Sequence, residues 1–170
     1  LNGSSQYVDC GTINTSGNSI TIQGWIKVQA FKTAFPYISS FAGTEQTGNQ
    51  ATVRIGDATI ANNKVQFILY IGGTHYKLHS QQGLTTNKWY HIAATYDNAQ
   101  MKLYINGVLD TARNQTGSFV SNSTFELGRN YGNARILNGE LDDISVFSTA
   151  LSQTTIREWM CKNITSSHPD

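Results

Sequence analysis

The sequence predicts an all-β fold in which two antiparallel sheets pack against each other as a sandwich. Short segments that alternate polar with apolar residues recur along the chain, and a period of two is typical of strands with one buried face. Extended helical periodicity is almost absent, so the pattern contains no helices that could connect parallel strands. The predicted strands are Thr21–Val28, Thr52–Ile55, Lys64–Ile71, His75–Ser80, Trp89–Tyr96, Met101–Asn106, Thr124–Leu127 and Glu140–Phe147.

Dipeptides that favour tight turns separate these segments. They are Asn62-Asn63, Gly72-Gly73, Asp97-Asn98 and Asn106-Gly107. The last is a strong hairpin signal, because Asn-Gly readily adopts the positive φ angles of a two-residue turn and because alternating residues flank it.

One short C-terminal helix is predicted over Ser152–Cys161. Ser152 can cap its first turn, and Ile156, Trp159 and Met160 then share one apolar face. We find no other segment with a helical period.

The composition excludes two classes of partner. Charged residues make up 14% of the chain, against about 25% in an average soluble domain. The formal net charge is +1 and no two Lys or Arg residues are adjacent, so the basic patch of a nucleic-acid-binding protein is missing. No stretch reaches the roughly 18 apolar residues of a membrane span. We therefore expect no nucleic acid as a partner and no membrane insertion.

The length suits a single domain over residues 1–170. The chain begins at Leu1 without an initiator Met, and we expect it to be a domain cut from a longer secreted protein. Cys10 and Cys161 are too few for a zinc site. Two free, buried thiols are the favoured interpretation, and a disulfide between the terminal segments is the alternative.

Several segments occur in a characteristic order. They are Asn2–Val8, Ile20–Lys27 with Trp25, Trp89–Asp97 followed by Leu103–Gly107, Leu127–Arg129, and Asn138–Phe147 followed by Ala150–Ser152. Together they resemble the laminin G-like jelly rolls of the concanavalin A superfamily. The resemblance spans nearly the whole chain, and it implies a jelly-roll sandwich with a concave sheet and with neighbouring first and last strands. Such domains usually serve as sugar- or matrix-binding modules of secreted enzymes, adhesins or surface proteins.

The candidate binding residues lie on the polar face of the alternating strands and in one polar loop. They are Arg54, Gln66, Tyr70, His75 and Lys77 on the strands, and Arg129, Tyr131 and Arg135 in the loop. Aromatic rings, guanidinium groups and amides are the groups that hold sugars. An ordinary solvated sheet face with a polar loop is the alternative. For Phe31, Phe35 and Tyr37 we favour core and loop packing over a stacking platform.

The resemblance also implies a calcium ion near the loops that join the sheet edges, since relatives often hold one. Asp142 is the best-matched carboxylate, and Asp57, Asp97 and Asp110 lie in predicted turns. Calcium prefers six or more oxygen ligands, and a sequence does not show whether these converge. His75 and His79 share a strand face, but a third zinc ligand is missing from the pattern.

Catalysis is not expected. Glu140 and Asp142 fit the carboxylate strand of glycosidases with this fold, but the position of the general acid holds Ser145 or Ile144. Neither a hydroxyl nor an alkyl group can protonate a glycosidic oxygen. Arg54, Gln66 and Tyr70 alternate as in polysaccharide lyases, but the rest of that pattern is absent.

The leading hypothesis is therefore a lectin-like, carbohydrate-binding module of a secreted or cell-surface protein. Its expected partner is a polysaccharide or glycan, with a modest preference for an anionic one from the slight basic excess. A protein-interaction or adhesion domain is the alternative, and a hydrolase or lyase is the third.

The alternation and the resemblance of the strands to the family also predict which residues lie on or next to the buried layer between the sheets. The expected members are Trp25, Ile26, Trp89, Ile92, Leu103, Ile105, Ile144 and Val146.

Overall fold

The computed structural model describes residues 1–46, 49–121, 123–130 and 135–162, which contain eleven strands and one helix. The strands are β1 (Val8–Thr12), β2 (Ile20–Ala30), β3 (Ser39–Gln46), β4 (Asn49–Asp57), β5 (Ile60–Ile71), β6 (Thr74–Gly83), β7 (Trp89–Tyr96), β8 (Gln100–Ile105), β9 (Val108–Asn114), β10 (Thr124–Leu127) and β11 (Asn138–Phe147). The helix is α1 (Gln153–Trp159). Residues 47, 48, 122, 131–134 and 163–170 lie outside this description.

The strands form two sheets. One has six strands in the order β1-β10-β3-β4-β5-β6, and the other has five in the order β11-β2-β7-β8-β9. Neighbouring strands are antiparallel in both sheets. The predicted all-β, two-sheet jelly-roll sandwich with one short C-terminal helix is confirmed.

The main core lies between the two sheets, and β2 shows how the alternation builds it. Ile22, Ile26 and Val28 point inward and are at most 1% exposed. They belong to the same apolar cluster as Phe41 and Phe67 of the six-stranded sheet. Complete burial of each such side chain contributes about 1.5–3 kcal/mol, so this layer holds the sandwich together.

A second apolar cluster lies on the opposite face of the five-stranded sheet. It contains Ala93 and Tyr104, which alternate with inward-facing residues of β7 and β8, together with Phe147, Leu151 and Ile156. Ile156 belongs to α1, so the helix covers the outer face of the five-stranded sheet. The described residues provide no such helix for the outer face of the six-stranded sheet.

The start of α1 agrees with the predicted cap. The Ser152 hydroxyl oxygen accepts a hydrogen bond from the Thr155 amide at 3.1 Å, which satisfies one of the free amides of the first turn. No helix of the described residues is long and apolar enough to cross a membrane.

Two of the eight predicted members of the buried layer are placed differently. Six of them lie in the main core or pack against it: Ile26, Ile92, Leu103, Ile105, Ile144 and Val146. The prediction is wrong for Trp25 and Trp89, which lie on the outer face of the five-stranded sheet. Trp25 Nε1 donates to the Met160 carbonyl at 2.9 Å. Trp89 is 37% exposed, and Lys27 Nζ lies 5.2 Å from its ring centroid.

The exposure of Trp89 changes the expected cost of removing it. We expect Trp89→Ala to lower the free energy of unfolding by only about 1 kcal/mol, because a partly exposed ring and one surface cation–π contact are lost. Ile26→Ala, in the main core, should cost about 2–5 kcal/mol. Urea unfolding followed by circular dichroism compares the two variants. An equal or larger loss for Trp89→Ala would contradict this placement.

The first residues contact the last strand directly. The Leu1 ammonium donates to the Gly139 carbonyl at 2.7 Å, and the Gly3 amide donates to the Leu137 carbonyl at 3.0 Å. The strand β1 itself pairs with β10 of the other sheet. The expected neighbourhood of the first and last strands therefore holds for the residues before β1 and is wrong for β1.

Both cysteines are free and exposed. The prediction of two free thiols is confirmed for Cys10 and Cys161. The expectation that these thiols are buried is wrong.

Candidate functional site

A cleft of about 450 Å³ opens on the outer face of the six-stranded sheet. Its walls come from the loop between β2 and β3, from strands β4, β5 and β6, and from the loop that precedes β11. The lining residues are Phe35, Pro36, Ile38, Gln50, Arg54, Asp57, Ala58, Ile68, His75, Lys77 and Arg135. The cleft thus brings together segments that are far apart in the sequence.

The strand register orders the residues in and beneath the cleft in rows. Arg54 of β4 lies opposite Gln66 of β5, which lies opposite His79 of β6. In the next row, Ile68 lies opposite Lys77. Successive rows are about 7 Å apart, because two residues of a strand rise by that distance. The prediction that Arg54, Gln66 and Lys77 share one sheet face is confirmed.

Phe35 stands at the rim of the cleft and is 79% exposed. Its ring meets that of Tyr37 edge to face, with 6.3 Å between the ring centroids. The loop can approach β4 because residue 56 is glycine: a Cβ there would lie 2.1 Å from the Tyr37 carbonyl oxygen, and φ is +77°. The packing interpretation holds for Phe31, which contacts the main core. It is wrong for Phe35, whose exposed ring can serve as a stacking surface.

A buried ion pair forms one wall. The Arg54 guanidinium donates to Asp57 Oδ2 at 2.5 Å, and Lys77 Nζ lies 3.5 Å from the same oxygen. Asp57 Oδ1 accepts bonds from the Thr59 amide at 3.0 Å and from the Thr59 hydroxyl at 2.9 Å. Burial alone would raise the pKa of Asp57. The bonds from Thr59 and the charges of Lys77 and Arg54 outweigh burial and lower this pKa to about 2.

A relay of hydrogen bonds continues from Arg54 beneath the cleft. Arg54 Nε donates to Gln66 Oε1 at 2.7 Å, and Gln66 Nε2 lies 2.7 Å from His79 Nε2. Because Arg54 holds the amide oxygen, the amide nitrogen of Gln66 must donate to His79. This bond requires a neutral His79 with its proton on Nδ1. Burial lowers the pKa of His79, with Asp57 opposing this effect and nearby cations adding to it, which favours that neutral form.

One lining residue has a spare donor. Gln50 is 2% exposed, and its Nε2 has no hydrogen-bond partner among the described residues. A buried amide without a partner costs about 1–3 kcal/mol. Gln50 lines the cleft, so an oxygen atom of a bound molecule could satisfy it.

Loops cover much of the face that the alternation predicts to be solvated. Ser40 donates to Asn130 Oδ1 at 2.7 Å across the sheet, and both residues are at most 2% exposed. Arg54 is 4% exposed and Gln66 is fully buried. Gln66 therefore positions Arg54 and His79 and has no surface of its own to offer a ligand.

The other predicted residues are distributed unevenly. His75 and Lys77 line the cleft, as does Arg135, and Tyr70 packs against His75 with 4.8 Å between the ring centroids. Arg129 lies apart from the lining residues, where it pairs with Glu126 through two hydrogen bonds and stacks on Tyr7 at 3.3 Å. Tyr131 falls outside the described residues.

The carboxylates named as calcium ligands accept hydrogen bonds from other groups of the protein or form ion pairs with them. Asp57 binds the groups above, Asp97 accepts from the Ala99 and Gln100 amides, and Asp110 accepts from the Gln81 and Gln82 amides. Asp142 is exposed and accepts from its neighbour Asp143. Across the described part of the chain, no group of three or more His, Cys, Asp or Glu side chains could hold a metal ion. Calcium at Asp142 stays a prediction.

The residues that resemble the carboxylate strand of glycosidases lie away from the cleft. They are Glu140, Asp142 and Ser145 on β11, at the edge of the five-stranded sheet. Glu140 forms an ion pair with Lys27 at 2.6 Å. The pairing of β11 with β2 shifts register between Asp142 and Ser145, with Asp143 at φ 49°. The strand therefore does not present Glu140, Asp142 and Ser145 in uninterrupted alternation.

Residues 2–157 match the Laminin_G_3 family, described as the concanavalin A-like lectin/glucanases superfamily. The chain belongs to this family. The resemblance of its strands to laminin G-like domains is thereby confirmed. No curated protein sequence matches the chain.

This laminin G domain is also similar to several solved structures. One is a candidate carbohydrate-binding protein from Bacteroides ovatus, with 27% identity, a TM-score of 0.74, and coverage of 92% of this chain and 45% of that chain. The second is domain 4 of the extracellular arabinanase AbnA from Geobacillus stearothermophilus in complex with arabinotriose. It has 20% identity, a TM-score of 0.73, and coverage of 94% of this chain and 74% of that chain.

A third similar structure is the binding domain of Paraclostridial Mosquitocidal Protein 1. It has 16% identity, a TM-score of 0.73, and coverage of 94% of this chain and 42% of that chain. Identities this low establish the fold alone. The laminin G domain spans less than half of the length of the Bacteroides ovatus protein.

Proposed function

We propose that this laminin G domain is a carbohydrate-binding module that holds its ligand in the cleft of the six-stranded sheet. The observation that carries the proposal is the union of an exposed aromatic ring, Phe35, with a buried unpaired donor, Gln50 Nε2, in one cleft. Sugars present both C–H faces and hydroxyl groups, so their sites combine these two kinds of group.

The floor suits one sugar ring. Ile38 and Ile68 form the apolar part of the lining, and the exposed ring of Phe35 can contact the C–H groups of a pyranose or furanose. The ammonium of Lys77 and the amide of Gln50 can donate to its oxygens. Asp57, which also pairs with Arg54, holds Lys77 in place through an ion pair. The ligand stays partly in solvent, so we expect affinities in the micromolar-to-millimolar range.

The similar structures support the proposal at the level of the domain. The Bacteroides ovatus protein is described as a candidate carbohydrate-binding protein, and the arabinanase domain was solved with arabinotriose. We propose further that the domain belongs to a secreted or cell-surface protein, that it has no catalytic activity of its own, and that linked domains raise its avidity.

The test begins with a glycan array and continues with titration of each hit. We expect Phe35→Ala to weaken binding about tenfold, because stacking on one ring contributes on the order of 1 kcal/mol or more. The fold should remain unchanged, since the ring is exposed. Isothermal titration calorimetry gives the affinity, and circular dichroism checks the fold.

Trp89→Ala is the matched control, because Trp89 is an exposed aromatic residue that does not line this cleft. It should bind as the parent does. If Trp89→Ala abolishes binding and Phe35→Ala does not, the site lies elsewhere on the domain. An array without any glycan hit would overturn the proposal in favour of a protein-interaction domain.

A further inference from the structure

The charges of the cleft are unbalanced. Among the lining residues, Arg54, Lys77 and Arg135 are cations, whereas Asp57 is an anion. The low pKa of Asp57 keeps its carboxylate ionised throughout the physiological range. The described lining residues thus carry an excess of two positive charges.

The carboxylate of Asp57 has no free position for a ligand. Its Oδ1 accepts two hydrogen bonds from Thr59, and its Oδ2 faces both Arg54 and Lys77. A ligand that donates hydrogen bonds would therefore have to displace one of these groups.

In contrast to this carboxylate, the hydrogen-bond donors of Lys77 and Gln50 have unused capacity. Lys77 Nζ lies 3.5 Å from its nearest carboxylate oxygen, and its side chain is 39% exposed. An ammonium group has three donors, so Asp57 leaves at least two of them unused. Gln50 lies about one side-chain row, roughly 7 Å, from the row of Ile68 and Lys77. Both donors therefore line the same part of the cleft.

The cleft offers unused hydrogen-bond donors and excess positive charge, and its carboxylate, Asp57, is already bonded within the protein. These properties suit a ligand group that accepts hydrogen bonds and carries a negative charge. We infer that this cleft recognises a sugar bearing a carboxylate, with Lys77 donating to the carboxylate and Gln50 donating to a neighbouring oxygen of the same residue. This inference rests on the proposed function. Uronic acids and sialic acids share this chemistry.

The experiment compares acidic ligands with neutral counterparts. Trigalacturonate, its fully methyl-esterified form and neutral galactotriose are titrated into the protein, and sialyllactose is compared with lactose. We expect at least one acidic ligand to bind about tenfold more tightly than its neutral counterpart, as a charge-assisted hydrogen bond would give. The preference should decrease as NaCl is raised. The pair that shows it identifies the source of the carboxylate.

Lys77→Gln should remove this preference, because it weakens binding of the acidic ligand about tenfold more than binding of its neutral counterpart. Lys162→Gln, which removes an exposed cation of the C-terminal segment, is the control and should preserve the preference. Equal loss in both variants would indicate a general effect of net charge and overturn the inference.

The two proposals fail in different ways. If the acid and its methyl ester bind equally and Phe35→Ala weakens both, the carboxylate inference is wrong and the carbohydrate-binding function stands. If no glycan binds at all, both are wrong. Preferential binding of a sulfated glycan over every carboxylated one would also overturn the inference.

Discussion

Replacing Arg54 by methionine should lower the free energy of unfolding by about 3 kcal/mol or more. Arg54 and Asp57 are 4% and 7% exposed, and removing one partner of a buried ion pair typically costs about 3–5 kcal/mol. Lys77 remains beside Asp57 and compensates in part, which places the expected loss near the lower end of that range. Gln66, fully buried, also loses the donor to its amide oxygen.

Chemical unfolding at pH 7 measures the loss, and two further variants identify its cause. Arg113→Met makes the same substitution at an exposed arginine and should cost less than about 1 kcal/mol. Asp57→Asn in the Arg54→Met background removes the buried carboxylate that Lys77 only partly compensates, so the double variant should be more stable than Arg54→Met alone. A loss below about 1 kcal/mol for Arg54→Met would show that solvent screens this pair.

Most strands could be predicted because their alternation reports burial on one face. Trp89–Tyr96 and Thr124–Leu127 match the bounds of β7 and β10. Strand β1 was not predicted as a separate strand. All five of its residues are exposed, so it has no buried face that an alternation could report. Its pairing with β10 uses backbone groups, which a side-chain pattern does not report.

Alternation also does not say what covers the second face of a sheet. Trp25 and Ile26 are adjacent and point to opposite faces of β2. The isoleucine enters the main core, whereas the tryptophan bonds to the segment that follows α1. Only the packing of a distant helix on the outer face decides which of the two lies between the sheets.

The candidate site also shows that alternation does not reveal what covers a sheet face. The sequence pattern places Arg54, Gln66 and Lys77 on one face, and this is correct. It does not predict that loops cover this face, because the contact between Ser40 and Asn130 joins residues far apart in the chain. For the same reason Gln50 and Ile68 were not identified as lining residues, and Phe35 was assigned to packing. The sequence likewise does not show that the carboxylate of Asp57 is already bound, because its partner Lys77 comes from another strand.

A second large effect should appear on acidification, and His91 is its main source. His91 is 2% exposed, its Nδ1 has no hydrogen-bond partner among the described residues, and its ring meets Trp25 edge to face at 5.4 Å. Burial lowers the pKa of His91 to about 4, against about 6.5 in an unfolded chain. Between these two values the unfolded state binds a proton that the folded state does not bind.

The sign follows from this difference in proton binding. The stability of the protein falls as pH decreases from 7, because protonation favours the unfolded chain. The contribution of His91 should reach a loss of about 2 kcal/mol at pH 5 and about 3 kcal/mol at pH 4. His79, whose pKa is also lowered by burial, adds to the loss in the same direction.

Urea unfolding at pH 7, 5 and 4 tests this in the parent protein and in His91→Phe. Phenylalanine keeps a ring against Trp25 and cannot take up a proton, so the variant should lose about 3 kcal/mol less than the parent between pH 7 and pH 4. His91→Leu provides the same comparison if the larger ring disturbs the packing. A His79→Gln variant separates the second histidine, since only the His91 variants should remove most of the slope. If both His91 variants keep the pH dependence of the parent, then His91 is protonated in the folded state, and the outer face of the five-stranded sheet admits water at this ring.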